Sequence, residues 1–247
     1  MRLPLVFPLL ALLASTSLAA AEPVRIAVAA NLLPVMERIA AQYQQQGGNP
    51  VQVIGGSSGA FFEQIRRGAP FDLFYSADAE RPEQLAAAGT GSAVRTYACG
   101  RLALWTPKST PKLDALPAGK IALAQPATAP YGKAAQQALQ RSGQWSQLQA
   151  RLVYGQDIGQ AFQFVDSGHA PGGFVALSQL TAAGIPAAQY RLVDAALYEP
   201  LVQKRVLLAR GERQANAEAF LAFFDAHHAT LKSAGYALPG EADCAAE

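Results

Sequence analysis

The chain has 247 residues, 20 of them basic and 18 acidic, with 51% hydrophobic and 15% charged residues. A formal net charge of +2 leaves no basic footprint for nucleic acid or an anionic membrane surface. The length suits one large domain or two lobes of about 110 residues each.

Residues 1–21 read as an export leader. Arg2 supplies the charged start, residues 3–13 are almost wholly apolar, and Ala19 and Ala21 form an A-x-A-like cleavage site before Glu22. A membrane anchor fits less well. The strongly apolar run is about half the ~20 residues needed to span a bilayer, and Pro4 and Pro8 interrupt it. Arg2 is the only charge in the leader, so cleavage leaves 19 basic against 18 acidic residues. No later apolar run is long enough to cross a membrane, and the mature chain is expected to be soluble.

Beyond the leader, strands and helices alternate, the pattern of a parallel or mixed sheet covered by helices. Residues 24–29 form a β-branched first strand. Residues 32–46 then place Leu32, Val35, Met36, Ile39, Ala40 and Tyr43 at helical spacing, with Gly47-Gly48 as the stop. A strand at 51–54 precedes the loop Gly55-Gly56-Ser57-Ser58-Gly59 and a helix to about Arg67. A third strand is expected at 71–76 and a short helix at 81–88, ended by Gly89. After a buried strand at 102–106, Pro107, Pro111 and Pro117 mark a linker. Further strands are expected at 121–124, 151–154, 173–177, 189–193 and 205–209. Helices are expected at 132–142 and 158–167, and a single long one at 215–234 whose apolar face carries Ala219, Phe220, Phe223 and Phe224.

Four short loops end where a helix should begin: Ala30-Asn31, Gly55 to Gly59, Pro130-Tyr131-Gly132 and Gln156-Asp157-Ile158. The start of a helix offers unpaired N–H groups and the positive end of its dipole, the parts needed to hold an anion. No Arg or Lys sits among them. Each loop also has a plainer reading. Asn31 falls at an expected N-cap, where its side chain would cap the helix. Gly55 to Gly59 can be a flexible turn, although its glycines allow close approach and its serines supply hydroxyl donors. Tyr131 would donate through its main-chain N–H while its ring packs. Asp157 is a good N-cap, so its carboxylate should turn away and leave the Ile158 N–H to donate. Two loops precede residue 100 and two follow it, so each half of the chain brings two to a shared ligand.

Enzymatic chemistry is not expected. There is no GxSxG elbow or GxxxxGK[ST] loop, and His169, His227 and His228 stand in no triad context. Adjacent His227 and His228 cannot share a helix face, which argues against a metal site. Cys99 and Cys244 are the only cysteines. A bond between them would tie the C-terminal tail to the middle of the chain. Two cysteines in a chain of this size are not a scaffold, so the balance tips against it without closing the question.

Taken together, these loops resemble those of the periplasmic molybdate-binding proteins of ABC importers, over about residues 24 to 238. Gly68-Ala69-Pro70-Phe71-Asp72-Leu73-Phe74-Tyr75-Ser76-Ala77-Asp78 is similar to that family's GAPxDLFxSAD stretch. Val28-Ala29-Ala30-Asn31-Leu32 resembles its first binding loop and Ser57-Ser58 its serine loop, while Tyr131 and Ile158 fall at its second-lobe contacts. Tyr198-Glu199-Pro200-Leu201 and Gly235-Tyr236 resemble later landmarks. Ala176 stands where some members carry a binding tyrosine; other members lack it and use Asn in the first loop, as here.

The resemblance implies an α/β, two-lobed periplasmic-binding-protein fold of type II, each lobe a mixed sheet flanked by helices with the ligand in the cleft between them. The first lobe would hold residues 22–100 and 200–240, the second 101–199, with a tail at 241–247. The implied oxyanion site is Asn31, Ser58, Tyr131 and Ile158, with Ala30 and Ser57 as weaker members. Molybdenum would enter only as the oxyanion, without protein ligands to the metal. Asp72 and Asp78 are better read as structural, since two acids beside a dianion are unfavourable. The implied role is capture of molybdate, and of similarly sized tungstate, for delivery to a membrane permease, by a periplasmic monomer without cofactor. Another tetrahedral oxyanion such as sulfate is the alternative.

Overall fold

The computed structural model describes residues 22–244; the expected leader and its cleavage site lie outside the described residues. β1 (Val24–Ala29) leads through a turn into α1 (Leu33–Gln45), whose buried face carries Val35, Met36, Ile39, Ala40 and Tyr43 as the helical spacing requires. β2 (Val51–Gly56), α2 (Ser58–Arg66), β3 (Leu73–Tyr75), α3 (Glu80–Ala87) and β4 (Ser92–Gly100) follow. The chain then enters β5 (Leu102–Trp105) and runs through β6 (Ile121–Ala124), α4 (Pro130–Arg141), the short α5 (Trp145–Leu148), β7 (Leu152–Gly155), α6 (Ile158–Asp166), β8 (Gly172–Ala176), α7 (Leu177–Ala182) and β9 (Tyr190–Leu192). It ends with β10 (Leu201–Leu207), α8 (Glu212–Asp225) and α9 (His228–Ser233).

Two five-stranded mixed sheets result, ordered β2-β1-β3-β10-β4 and β7-β6-β8-β5-β9. In the first, β1 pairs in parallel with β2 and β3, while β10 runs antiparallel to β3 and β4. In the second, β6 is parallel to β7 and β8, and β5 is antiparallel to β8 and β9. The helices cover both sheets; two apolar clusters lie within the first lobe, one within the second, and a further cluster of the second lobe extends to Ala29, Ala30 and Ala77 of the first. The chain passes from one sheet to the other between Gly100 and Leu102, and returns between Leu192 and Leu201. The parallel strands β1, β2 and β6, together with β7, all deliver their carboxyl ends to the side where the lobes face each other. In such sheets this is where ligands collect.

Four features depart from the sequence expectations. β4 carries no prior assignment, because its outer half is exposed and its inner half buried, which hides the alternation of a strand. Residues 177–182 also form a helix of their own, α7, which no start signal announces. The expected helix 215–234 is two helices broken at Ala226-His227, where His227 Nδ1 lies 2.6 Å from the Phe223 carbonyl oxygen; neither Gly nor Pro marks the break. Finally, Cys99 and Cys244 are bonded, against the balance of the sequence argument. Beside that link Arg101 pairs with Asp243 at 2.5 Å, so the tail is fastened to the first passage between the sheets.

Candidate functional site

Three helices of this fold start at one small cavity. Residues of the 29–31 turn, the 56–58 segment, Ala77, the start of α4 at 129–131 and Asp157-Ile158 line it, between the lobes. Asn31, Ser57, Ser58, Tyr131, Ile158 and Ala30 are all among the lining residues, so the structure brings the six sequence-derived candidates together. No Lys or Arg lines it.

Each donor is placed by a local reason. Ser58 is the first residue of α2, and its N–H therefore has no acceptor within the helix. Its Oγ accepts from the Ala77 N–H at 3.0 Å, which leaves the hydroxyl proton free to donate elsewhere. Ser57 is the N-cap; its Oγ accepts from the Ala60 N–H at 3.2 Å and likewise keeps its proton. Tyr131 follows Pro130 at the start of α4, where proline sacrifices no helical hydrogen bond and the Tyr131 N–H has no intrahelical partner. Gly132 is required here: a Cβ at this position would lie 2.3 Å from the Ala124 carbonyl oxygen at the end of β6. Asp157 caps α6, accepting from the Gln160 N–H at 2.9 Å, so its carboxylate is occupied by its own helix and Ile158 presents its N–H.

Two candidates differ from their sequence reading. Ala30 lines the cavity, but its N–H donates to the Gly56 carbonyl at 2.9 Å, so it forms wall rather than donor. Asn31 is not the N-cap of α1. Leu32 holds that position, and the Asn31 side chain makes no capping bond. Fully buried, Asn31 instead donates from Nδ2 to Gln203 Oε1 and to the Tyr236 hydroxyl, both at 2.9 Å, while its Oδ1 has no hydrogen-bond partner.

The lobes are held closed by contacts that cross between them. The Gly59 N–H donates to the Thr128 carbonyl at 2.8 Å, Ser178 Oγ donates to the Asn31 carbonyl at 2.9 Å, and Gln203 Nε2 donates to the Tyr131 hydroxyl at 3.2 Å. The Tyr131 ring packs as expected, over Gly100, where a Cβ would lie 2.0 Å from its hydroxyl oxygen. Burial raises the Tyr97, Tyr131 and Tyr236 phenols above the ordinary tyrosine value, so all three stay protonated around Gln203. Gln203, Tyr97 and Ser178 escaped the sequence reading, and Tyr236 entered it only as a landmark of the resemblance, without a place at the site. For Gln203 the available signal was the inward row Leu201, Gln203, Arg205 on β10, which sets polar side chains where apolar ones belong.

Asp72 and Asp78 are structural, as expected. Asp72 Oδ2 accepts from the Arg25 N–H and from Arg213, each at 2.7 Å. Asp78 accepts from Ser76 Oγ at 3.0 Å and from the Arg81 N–H at 3.1 Å, and also pairs with the Arg81 side chain. Among the described residues no group of His, Cys, Asp and Glu is placed to hold a metal ion. No helix there is long and apolar enough to cross a membrane.

The family model described as bacterial extracellular solute-binding protein matches residues 24–237. The chain belongs to that family. Its members are solute-binding proteins, not enzymes. Among similar proteins, the molybdate-binding protein ModA of Azotobacter vinelandii is 39% identical over 233 residues, covering 89% of this chain and 92% of that protein. ModA of Rhodobacter capsulatus is 40% identical over 214 residues, 83% of each. The solved structure of the Azotobacter vinelandii periplasmic molybdate-binding protein superposes with a TM-score of 0.82 at 36% identity, covering 87% of this chain and 99% of that one. A sulfate-binding protein of Mycobacterium tuberculosis shares the fold, with a TM-score of 0.68 at 14% identity over 91% of this chain and 90% of that one. The two-lobed α/β architecture is thus the type II fold of the solute-binding family.

Proposed function

We propose that this protein is the periplasmic receptor of an ABC importer, capturing molybdate, and tungstate equally, and handing it to the membrane permease. The observation that carries this reading is the convergence of three helix N-termini and Asn31 on one small cavity without a cationic side chain. The similarity to ModA of two organisms supports the choice of molybdate among oxyanions. The protein acts as a monomer after cleavage near Ala21, with residues 22–100 and 200–240 as one lobe and 101–199 as the other.

The donors are the Ser58 N–H and hydroxyl, the main-chain N–H of Tyr131 and of Ile158, and the Asn31 amide, with the Ser57 hydroxyl beside them. Hydrogen bonds to a charged group contribute roughly 1.5–3 kcal/mol each, and helix starts up to ~2 kcal/mol when partly buried. Less the costs of desolvation and immobilisation, about six such contacts give submicromolar affinity. Neutral donors select a fully ionised oxyanion, because a protonated one would bring an O–H without an acceptor. Cavity size then separates molybdate and tungstate from smaller sulfate. Titration calorimetry with molybdate, tungstate, sulfate and phosphate tests this. Comparable tight binding of the first two is expected, and tighter binding of sulfate overturns the assignment.

A further inference from the structure

Asn31 is the one candidate ligand whose orientation does not follow from its own helix. As drawn, its amide gives both N–H bonds to protein and leaves Oδ1, an acceptor, unpartnered in a residue that lines the cavity. An acceptor facing a dianion is repulsive. The cause lies in Gln203, which is also fully buried and whose Oε1 takes the Asn31 proton.

The same choice sets the protons of the tyrosines around it. The Tyr97 hydroxyl has one proton but two acceptors in reach, Gln203 Oε1 at 2.7 Å and the Ser76 carbonyl at 3.0 Å. Rotating both amides by half a turn exchanges O and N without changing their shape. Gln203 Nε2 then donates to Asn31 Oδ1 and to the Tyr97 hydroxyl, and Tyr97 gives its proton to Ser76. The Tyr131 hydroxyl donates across the lobe boundary to Gln203 Oε1. The Tyr236 hydroxyl, which now donates to the Asn31 carbonyl, turns its proton to Asn31 Oδ1, and Ser178 Oγ remains that carbonyl's donor. Asn31 Nδ2 takes the place now held by the orphaned oxygen. Its protons find no protein partner there, so this arrangement is complete only with an anion in the cavity.

We propose that Gln203 is a positioning residue that turns the Asn31 amide donor-side toward the bound anion, locked in that sense by the Tyr131 hydroxyl when the lobes close. This rests on Asn31 being an oxyanion ligand. Gln203 thereby joins one lobe's ligand to the second lobe's α4, whose first N–H groups hold the same anion.

The test is a double-mutant cycle read by molybdate calorimetry. Gln203→Glu offers acceptors only, so it holds Asn31 Nδ2 away from the cavity; a loss of roughly 10- to 100-fold is expected, the size of a hydrogen bond to a charged group. Gln203→Met imposes no orientation and should lose several-fold less. In an Asn31→Ser background, which keeps a hydroxyl donor with no amide to turn, Gln203→Glu should retain only the effect of its added charge, a smaller loss than in the wild-type background. An equal penalty in both backgrounds overturns the proposal. Unchanged affinity in Asn31→Ala would instead remove Asn31 from the site, a separate failure. If Gln203→Glu does not fold, NMR of the loaded wild-type protein decides. Gln203 amide protons close to the Tyr97 ring support the proposal, and amide protons close to the Tyr131 ring overturn it.

Discussion

Ser58 shows how one residue meets two demands at once. Its Oγ accepts from the Ala77 N–H, tying α2 to the segment after β3, and the same geometry directs the hydroxyl proton outward. Ser58→Ala should therefore weaken molybdate binding at least several-fold, about the loss of one hydrogen bond to a charged group. Circular dichroism should show the variant folded, and unchanged affinity by calorimetry would remove Ser58 from the site. At this scale the sequence was informative where function rests on local backbone rules. Asp157 capping its own helix, Pro130 opening α4 and the serines at the start of α2 are all short-range patterns. Asn31 was legible as a residue of the site but not in its geometry. Its partners Gln203 and Tyr236 lie 172 and 205 positions away, and nothing near residue 31 reports them.

The helix starts are the working elements, and each is aimed by the strand before it. α4 is the clearest case, because the Gly132 position leaves no room for a side chain against the Ala124 carbonyl at the end of β6. Gly132→Ala should push the first turn of α4 off β6 and carry the Tyr131 N–H with it. A stability loss of about 1–3 kcal/mol is expected, as for other overpacked sites, together with weaker oxyanion binding. Thermal unfolding and calorimetry on the same sample check both; a wild-type melting temperature and affinity would contradict the role given to this contact. The elements that frame the site were readable where the signal is local: α1 has strong helical periodicity and the Gly47-Gly48 stop, and β6, a short apolar run before Pro126, is matched end to end. β4 and the break between α8 and α9 were not. The first mixes exposed and buried stretches, and the second depends on His227 folding back onto Phe223.

For the molecule as a whole, closure is a network of neutral contacts between the lobes rather than ion pairs across the cleft floor. The Gly59 to Thr128 and Ser178 to Asn31 bonds both involve main-chain carbonyls beside the cavity. A ligand gripped from both lobes favours the closed arrangement by its differential affinity. Adding molybdate should accordingly reduce the radius of gyration in solution scattering, and an unchanged profile would contradict hinge closure. The two-lobed plan was legible from the order of the loops along the chain. The junction between the lobes was not, since it is assembled from buried tyrosines and a glutamine on separate strands.

The covalent link from Cys99 to Cys244 spans 145 positions and ties the segment after α9 to β4. It persists only where thiols are oxidised. The clasp beside Arg101 is therefore conditional on redox state: under reducing conditions the segment after α9 would be held there by the Cys99–Ala237 hydrogen bonds and the Arg101–Asp243 ion pair alone.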